Sequence, residues 1–306
     1  MISKIPLKMN LVIAGWIGER IARLFKGSDT ASRKMKVLLP SDPPAGYSYR
    51  KLMPLVFCDR IKFPCFTNPA NHLHTLFDVR GREQLDRVLE TSGAIMQFSH
   101  FGAYEPAFLY LARMGYPVHV VRVISHPAGN RFDKPGLQRS LAVQRFGIIK
   151  KTHIDFIYYK PGRAYFPMLS DLLARKEIVV TFLDAGAPHF MDVPFFDGKL
   201  RVASNSAFLA WKCQVPVIPV FSVRKGWYRY EIHIERPVYP VSGMQETLQL
   251  ASTRFADLLQ QYVSRYPGQW FLLHHLEFSP DDSSRWRLSM PEKKDEIYYE
   301  PADFGL

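Results

Sequence analysis

From Gly93 onward, short apolar runs alternate with segments whose apolar residues recur every three or four positions, the rhythm of buried strands alternating with helices. Gly93-Ala94-Ile95-Met96-Gln97 predicts a first buried strand, Pro117 to Ile124 a second, Ile154 to Tyr159 a third, and Ile178-Val-Val-Thr-Phe-Leu183 a fourth. Phe108, Leu109, Leu111 and Ala112 predict a helix that follows Glu105 and stops near Gly115. Met168, Leu169, Leu172 and Leu173 predict a short one over Pro167 to Lys176, and Leu85, Val88 and Leu89 one over residues 79–91. Strand, helix, strand makes a βαβ unit, in which chemistry is expected at the carboxyl ends of the strands.

Further on, Met191 to Arg201 reads as an apolar loop leading into a helix from about Ala203 to Cys213. Gln214 to Val223 reads as a strand whose Pro216 and Pro219 place it near an edge or bulge. Tyr228 to Glu235 alternates, with Tyr228, Tyr230, Ile232 and Ile234 on one face and a wet face opposite. Thr247 to Arg265 predicts the longest helix, and Trp270 to His274 a last strand. The pattern describes an α/β chain with one main domain over residues 70–278 and a mixed, mostly parallel central sheet flanked by helices. Residues 1–69 form a basic N-terminal region and residues 279–306 an acidic tail, which either folds back on that region or stands apart.

Hydrophobic residues make up 47% of the 306 positions and aromatics 14%, ample for a core and far from a disordered composition. The three cysteines form no CxxC pair and no metal-ligand cluster, which suits a reduced, cytosolic chain. The net charge of +12 is uneven: residues 1–63 hold 12 Lys and Arg against 4 acids. That excess suits an anionic membrane surface, an acidic carrier protein or nucleic acid. Within residues 9–25 only Leu11 to Ile17 is unbroken and apolar, too short for the roughly 20 residues that span a bilayer. No small-residue cleavage site follows it. With Trp16 and Phe25 on or near its apolar face, this segment reads as an interfacial anchor or as a helix packed on the protein's own core. Residues 27–69 are rich in Pro, Ser and basic residues and read as loops with short helical pieces.

The candidate chemistry lies at the end of the first strand, in Phe98-Ser99-His100-Phe101-Gly102-Ala103-Tyr104-Glu105. A histidine and a carboxylate five residues apart across a tight turn make a general base and its orienting partner. With 10 His and 28 acidic residues this spacing arises about once by chance, so its weight comes from the strand end and the flanking Gly102. Asp184-Ala185-Gly186, at the end of another strand, marks a further site edge. The chain has no Gly-x-Ser-x-Gly elbow for a serine hydrolase, and His72 and His74 lack a third partner for zinc. A nucleic-acid-binding protein, supported by charge and aromatics without a binding motif, and a catalytically silent membrane-associated scaffold are the non-enzyme alternatives.

Taken in order, His100-x4-Glu105, the strand with Arg122, Leu183-Asp184-Ala185-Gly186, Val193-Pro194-Phe195-Phe196, Val215-Pro216-Val217-Ile218-Pro219 and the closing Pro267 to His274 resemble the lipid A biosynthesis lauroyl/myristoyl acyltransferases, a branch of the lysophospholipid acyltransferase superfamily. Two departures concern the acceptor more than the chemistry. Phe182 stands where that family commonly has the first of two paired acids, and the N-terminal segment is at best interfacial where many members have a transmembrane helix. The resemblance implies a lysophospholipid/glycerol-3-phosphate acyltransferase-like fold. It also implies transfer of an acyl group from an acyl carrier protein or coenzyme A thioester to a hydroxyl or amine of a lipid, glycolipid or related acceptor, with no metal or other cofactor. His100 and Glu105 would be the catalytic dyad. Arg122, Arg145 and Arg163 would meet the oxyanion or a phosphate, Asp184 and Gly186 would shape the pocket, with Asp184 orienting an arginine, and Phe195 and Phe196 would border the acyl groove. The implied location is peripheral, on the cytoplasmic face of a bacterial inner membrane, with no nucleic-acid partner.

Overall fold

A computed structural model describes residues 8–9, 11–13, 16, 27–39, 73–123, 125–127, 154–159, 164–184, 189–226, 228–274, 276–280, 286–289 and 296–298. The main sheet is built from β1 (Phe77–Arg80), β2 (Ala94–Phe98), β3 (Val118–Val123), β5 (Asp155–Tyr159), β6 (Ile178–Phe182), β9 (Val217–Arg224) and β10 (Tyr230–Ile234), in the order β1-β10-β9-β2-β6-β3-β5. The five strands from β9 to β5 run parallel, and β10 with β1 runs against them. A second sheet joins β7 (Phe190–Phe195) and β8 (Gly198–Ala203) to β11 (Glu277–Pro280) and β12 (Trp286–Ser289). A short pair forms between β4 (Ser125–Pro127) and β13 (Glu296–Tyr298). The helices are α1 (Gly27–Leu38), α2 (Arg82–Thr91), α3 (Tyr104–Arg113), α4 (Phe166–Ala174), α5 (Asn205–Cys213) and α6 (Met244–Arg265).

Every residue of β2 is buried, and the pleat divides them between two layers. Ala94, Met96 and Phe98 join Leu85 and Val88 of α2 and Ala107, Phe108 and Leu111 of α3. Ile95 faces the other way, toward Leu172 and Leu173 of α4 and Ala207 and Ala210 of α5. A third cluster lies beneath α6, where Phe255, Leu259 and Val263 meet Val193, Phe195, Phe221 and Trp270. The result is an α/β arrangement with helices on both faces of a mixed, mostly parallel sheet.

Four segments depart from the sequence expectation, each for a physical reason. Residues 190–203 are a β-hairpin rather than a loop. Its turn was hidden because Phe196 adopts φ 50, a left-handed conformation uncommon for a bulky residue, held by its N–H donating to Gln260 Oε1 at 2.5 Å. Strand β9 is internal and fully buried in spite of Pro219. That proline sits where the β10 ladder ends, and its carbonyl accepts the last N–H, from Glu235, at 2.9 Å. Where a strand was expected over Trp270 to His274, two 3-10 turns, Pro267–Gln269 and Phe271–His274, flank Trp270, which bridges to Phe101 in the turn after β2. Finally, Phe77 and Val79 pair with β10 as a strand, and the helix begins only after Gly81, whose φ of 78 turns the chain.

In β10 the alternation is as expected: Tyr230, Ile232 and Ile234 are buried, while Glu231 and His233 are half-buried. At the N-terminus, residues 8, 9, 11–13 and 16 are helical. Leu11 is fully buried against the core that holds Leu73, Leu76 and Phe77, whereas Met9, Val12, Ile13 and Trp16 are 51, 41, 42 and 52% exposed. Among the described residues no helix is long and apolar enough to cross a membrane.

Candidate active site

The parallel pairing of β2 with β6 sets Phe98 opposite Phe182. His100 and Asp184 each lie two positions beyond that pair, so the register itself delivers them to the same edge of the sheet. The Leu183 N–H still donates to the Phe98 carbonyl at 2.9 Å, which carries the alignment past the formal strand ends. Gly102 then turns the chain into α3 with φ +60, and a Cβ there would lie 1.6 Å from the Ser222 carbonyl oxygen. Only glycine allows the turn to approach β9 so closely. The Ala103 N–H donates to that same carbonyl at 3.2 Å.

His100 Nδ1 is 2.9 Å from Asp184 Oδ1, and the His100 backbone N–H donates to Oδ2 at 2.9 Å and Oδ1 at 3.2 Å. The Trp270 indole Nε1–H donates to Oδ2 at 3.3 Å. Asp184 is buried, and burial pushes its carboxyl up. The His100 charge, its ring and backbone hydrogen bonds and the Trp270 bond outweigh that and hold the carboxyl below its usual range. When the imidazole is neutral, an ionised Asp184 selects the tautomer that donates from Nδ1–H, and Nε2 then carries the lone pair. The imidazole side chain is 24% exposed. The ring packs against Phe182, tilted at 4.7 Å between centroids, and against Tyr104 in an edge-on contact at 5.0 Å. The Phe182 that replaces the expected first acid therefore walls the histidine with an apolar ring.

Glu105, in the first turn of α3, accepts from Arg122 Nη2 at 3.2 Å. Both side chains are largely covered, 15 and 17% exposed, and the Arg122 guanidinium also lies over the Phe156 ring at 5.6 Å. The two carboxylates thus hold partners opposite to those read from the sequence: the one five residues from His100 binds the arginine, and the one on the neighbouring strand binds the imidazole. A contact across 84 positions leaves no linear spacing to recognise. The available signal was that both residues follow closely on the end of an apolar run.

Phe195 is fully buried and packs on Trp270 at 5.5 Å, and Phe196 is in ring contact with Phe195 at 4.8 Å. Arg145, Arg163 and Gly186 lie outside the described residues. Tyr104, Phe182, Gln269 and Trp270 were not among the site residues expected. Among the described residues no group of three His, Cys, Asp or Glu side chains is placed to hold a metal ion.

The depressed Asp184 carboxyl has a consequence for acid stability. Below its ordinary value of 3.8 the unfolded chain binds a proton that the folded one resists. The stabilisation is present above that value and is lost as pH falls through the lower folded one. Asp184→Asn should flatten this acid limb of the melting-temperature profile, and an unchanged slope below pH 4 would contradict it.

A comparison with curated proteins finds no match to the chain. Residues 154–276, less than half of the chain, match the sequence model of a family described as bacterial lipid A biosynthesis acyltransferase, and the matched stretch runs from β5 to beyond Trp270 and includes Asp184. Over these residues the chain is similar to acyltransferases of that family, which supports an enzymatic activity in general.

Proposed function

We propose that the protein moves a fatty acyl group from a thioester, on acyl carrier protein or coenzyme A, to a hydroxyl or amine of a lipid-like acceptor. The observation that carries this reading is the His100–Asp184 pair at the carboxyl edge of the sheet, with its aspartate inside the segment matched to acyltransferases. Neutral His100 takes the acceptor proton on Nε2 as the acceptor oxygen or nitrogen bonds to the thioester carbonyl carbon. Asp184 holds the tautomer and stabilises the imidazolium. Collapse of the tetrahedral intermediate breaks the C–S bond, the thiolate leaves, and the imidazolium returns the proton to it. Glu105 presents Arg122, whose remaining donors favour the oxyanion or an acidic group of the substrate. Incubation of the purified protein with labelled acyl thioesters and a bacterial lipid extract tests the reading. Label should enter a lipid product, and its absence with both donors would count against the reading.

The site is read as working at an anionic membrane surface on the cytoplasmic side. Met9, Val12, Ile13 and Trp16 fall at i, i+3, i+4 and i+7, so they share one helical face, while Leu11 roots the helix in the core. Exposing four large apolar side chains in one stripe suits insertion among lipid headgroups. The Val12→Glu/Trp16→Glu protein should lose most of its co-sedimentation with anionic liposomes while keeping its melting temperature. Undiminished sedimentation would rule this face out as the anchor.

A further inference from the structure

The turn that closes the site is tied to three of its parts at once. Trp270 is fully buried, and its N–H reaches the same Asp184 Oδ2 that accepts the His100 backbone N–H. Next to it, the Gln269 carbonyl accepts the Gly102 N–H at 2.7 Å. The Gln269 amide grips the main chain of Arg224 from both sides: Oε1 accepts its N–H at 2.8 Å and Nε2 donates to its carbonyl at 2.9 Å. Those partners fix which end of the amide is oxygen. One dipeptide therefore joins the aspartate, the turn after His100 and the end of β9.

Filling space at position 270 needs a ring but not an N–H. A carboxylate rotates in a broad χ2 well, and its plane decides whether Oδ1 stays aligned with the imidazole. With the backbone N–H of His100 on one side and the indole on the other, Asp184 Oδ2 is held from two directions.

We propose that Trp270 is a positioning residue for acyl transfer: its N–H fixes the plane of the Asp184 carboxylate that orients His100, and the Gln269 clasp fixes Trp270. The proposal rests on the reading of His100 and Asp184 as the catalytic pair. Trp270→Phe should lower kcat about 10-fold, the effect of one hydrogen bond to a charged group, with KM for the thioester unchanged. In an Asp184→Ala background the same change should cost nothing further, because the group through which Trp270 acts is gone. Benzothienylalanine at position 270 keeps the bicyclic shape and exchanges N–H for sulfur. It should show the same loss, and it decides the matter if the phenylalanine variant does not fold. Wild-type kcat in the benzothienylalanine protein, or equal losses from Trp270→Phe with and without Asp184, would overturn the proposal. Full activity in a folded His100→Ala protein would instead overturn the reading beneath it.

Discussion

His100→Ala is expected to leave the fold intact and to lower acyl transfer by about 10³-fold, within the range that a positioned general base contributes. The fold should survive because the imidazole side chain is a quarter exposed and the turn around it is held by main-chain bonds. Gly102 to Gln269 and Ala103 to Ser222 do not depend on the ring. Circular dichroism and a thermal melt alongside steady-state kinetics separate the two effects. A folded variant retaining wild-type kcat would remove His100 from the chemistry.

The second large effect discriminates between the two carboxylates. Asp184→Asn should lower kcat by about 10²- to 10⁴-fold, because an amide in its place supports the wrong imidazole tautomer. Glu105→Gln keeps an oxygen acceptor for Arg122 and removes only the charge. It should cost about 10-fold, expressed chiefly in KM for an acidic substrate, since Arg122 would be held less firmly. The reverse ranking, with Glu105→Gln inactive and Asp184→Asn nearly normal, would restore Glu105 as the partner of the base.

The parts of the fold legible in the sequence are those set by local periodicity. Strand β2, helix α3 and strand β6 follow from apolar runs and three- and four-residue spacing, and they suffice to place His100 at a strand end. The pairing of His100 with Asp184 was not legible, because it depends on the parallel register of β2 with β6, a contact between segments 84 residues apart. Pro219 pointed to an edge because a proline lacks the ladder N–H, yet one placed where the neighbouring ladder stops leaves the pairing nearly whole. Trp270 looked like the start of an apolar strand. Its decisive feature is a single polar atom on an apolar ring, and only the fold shows where that atom points.

The most direct test of the central claim follows a labelled acyl chain. Wild-type and His100→Ala proteins are incubated with acyl carrier protein and coenzyme A thioesters and a lipid extract, and lipids are read by mass spectrometry. The wild-type protein is expected to yield a lipid heavier by one acyl group together with the free thiol, and the folded variant neither. Equal yields of that product from both proteins would contradict the account.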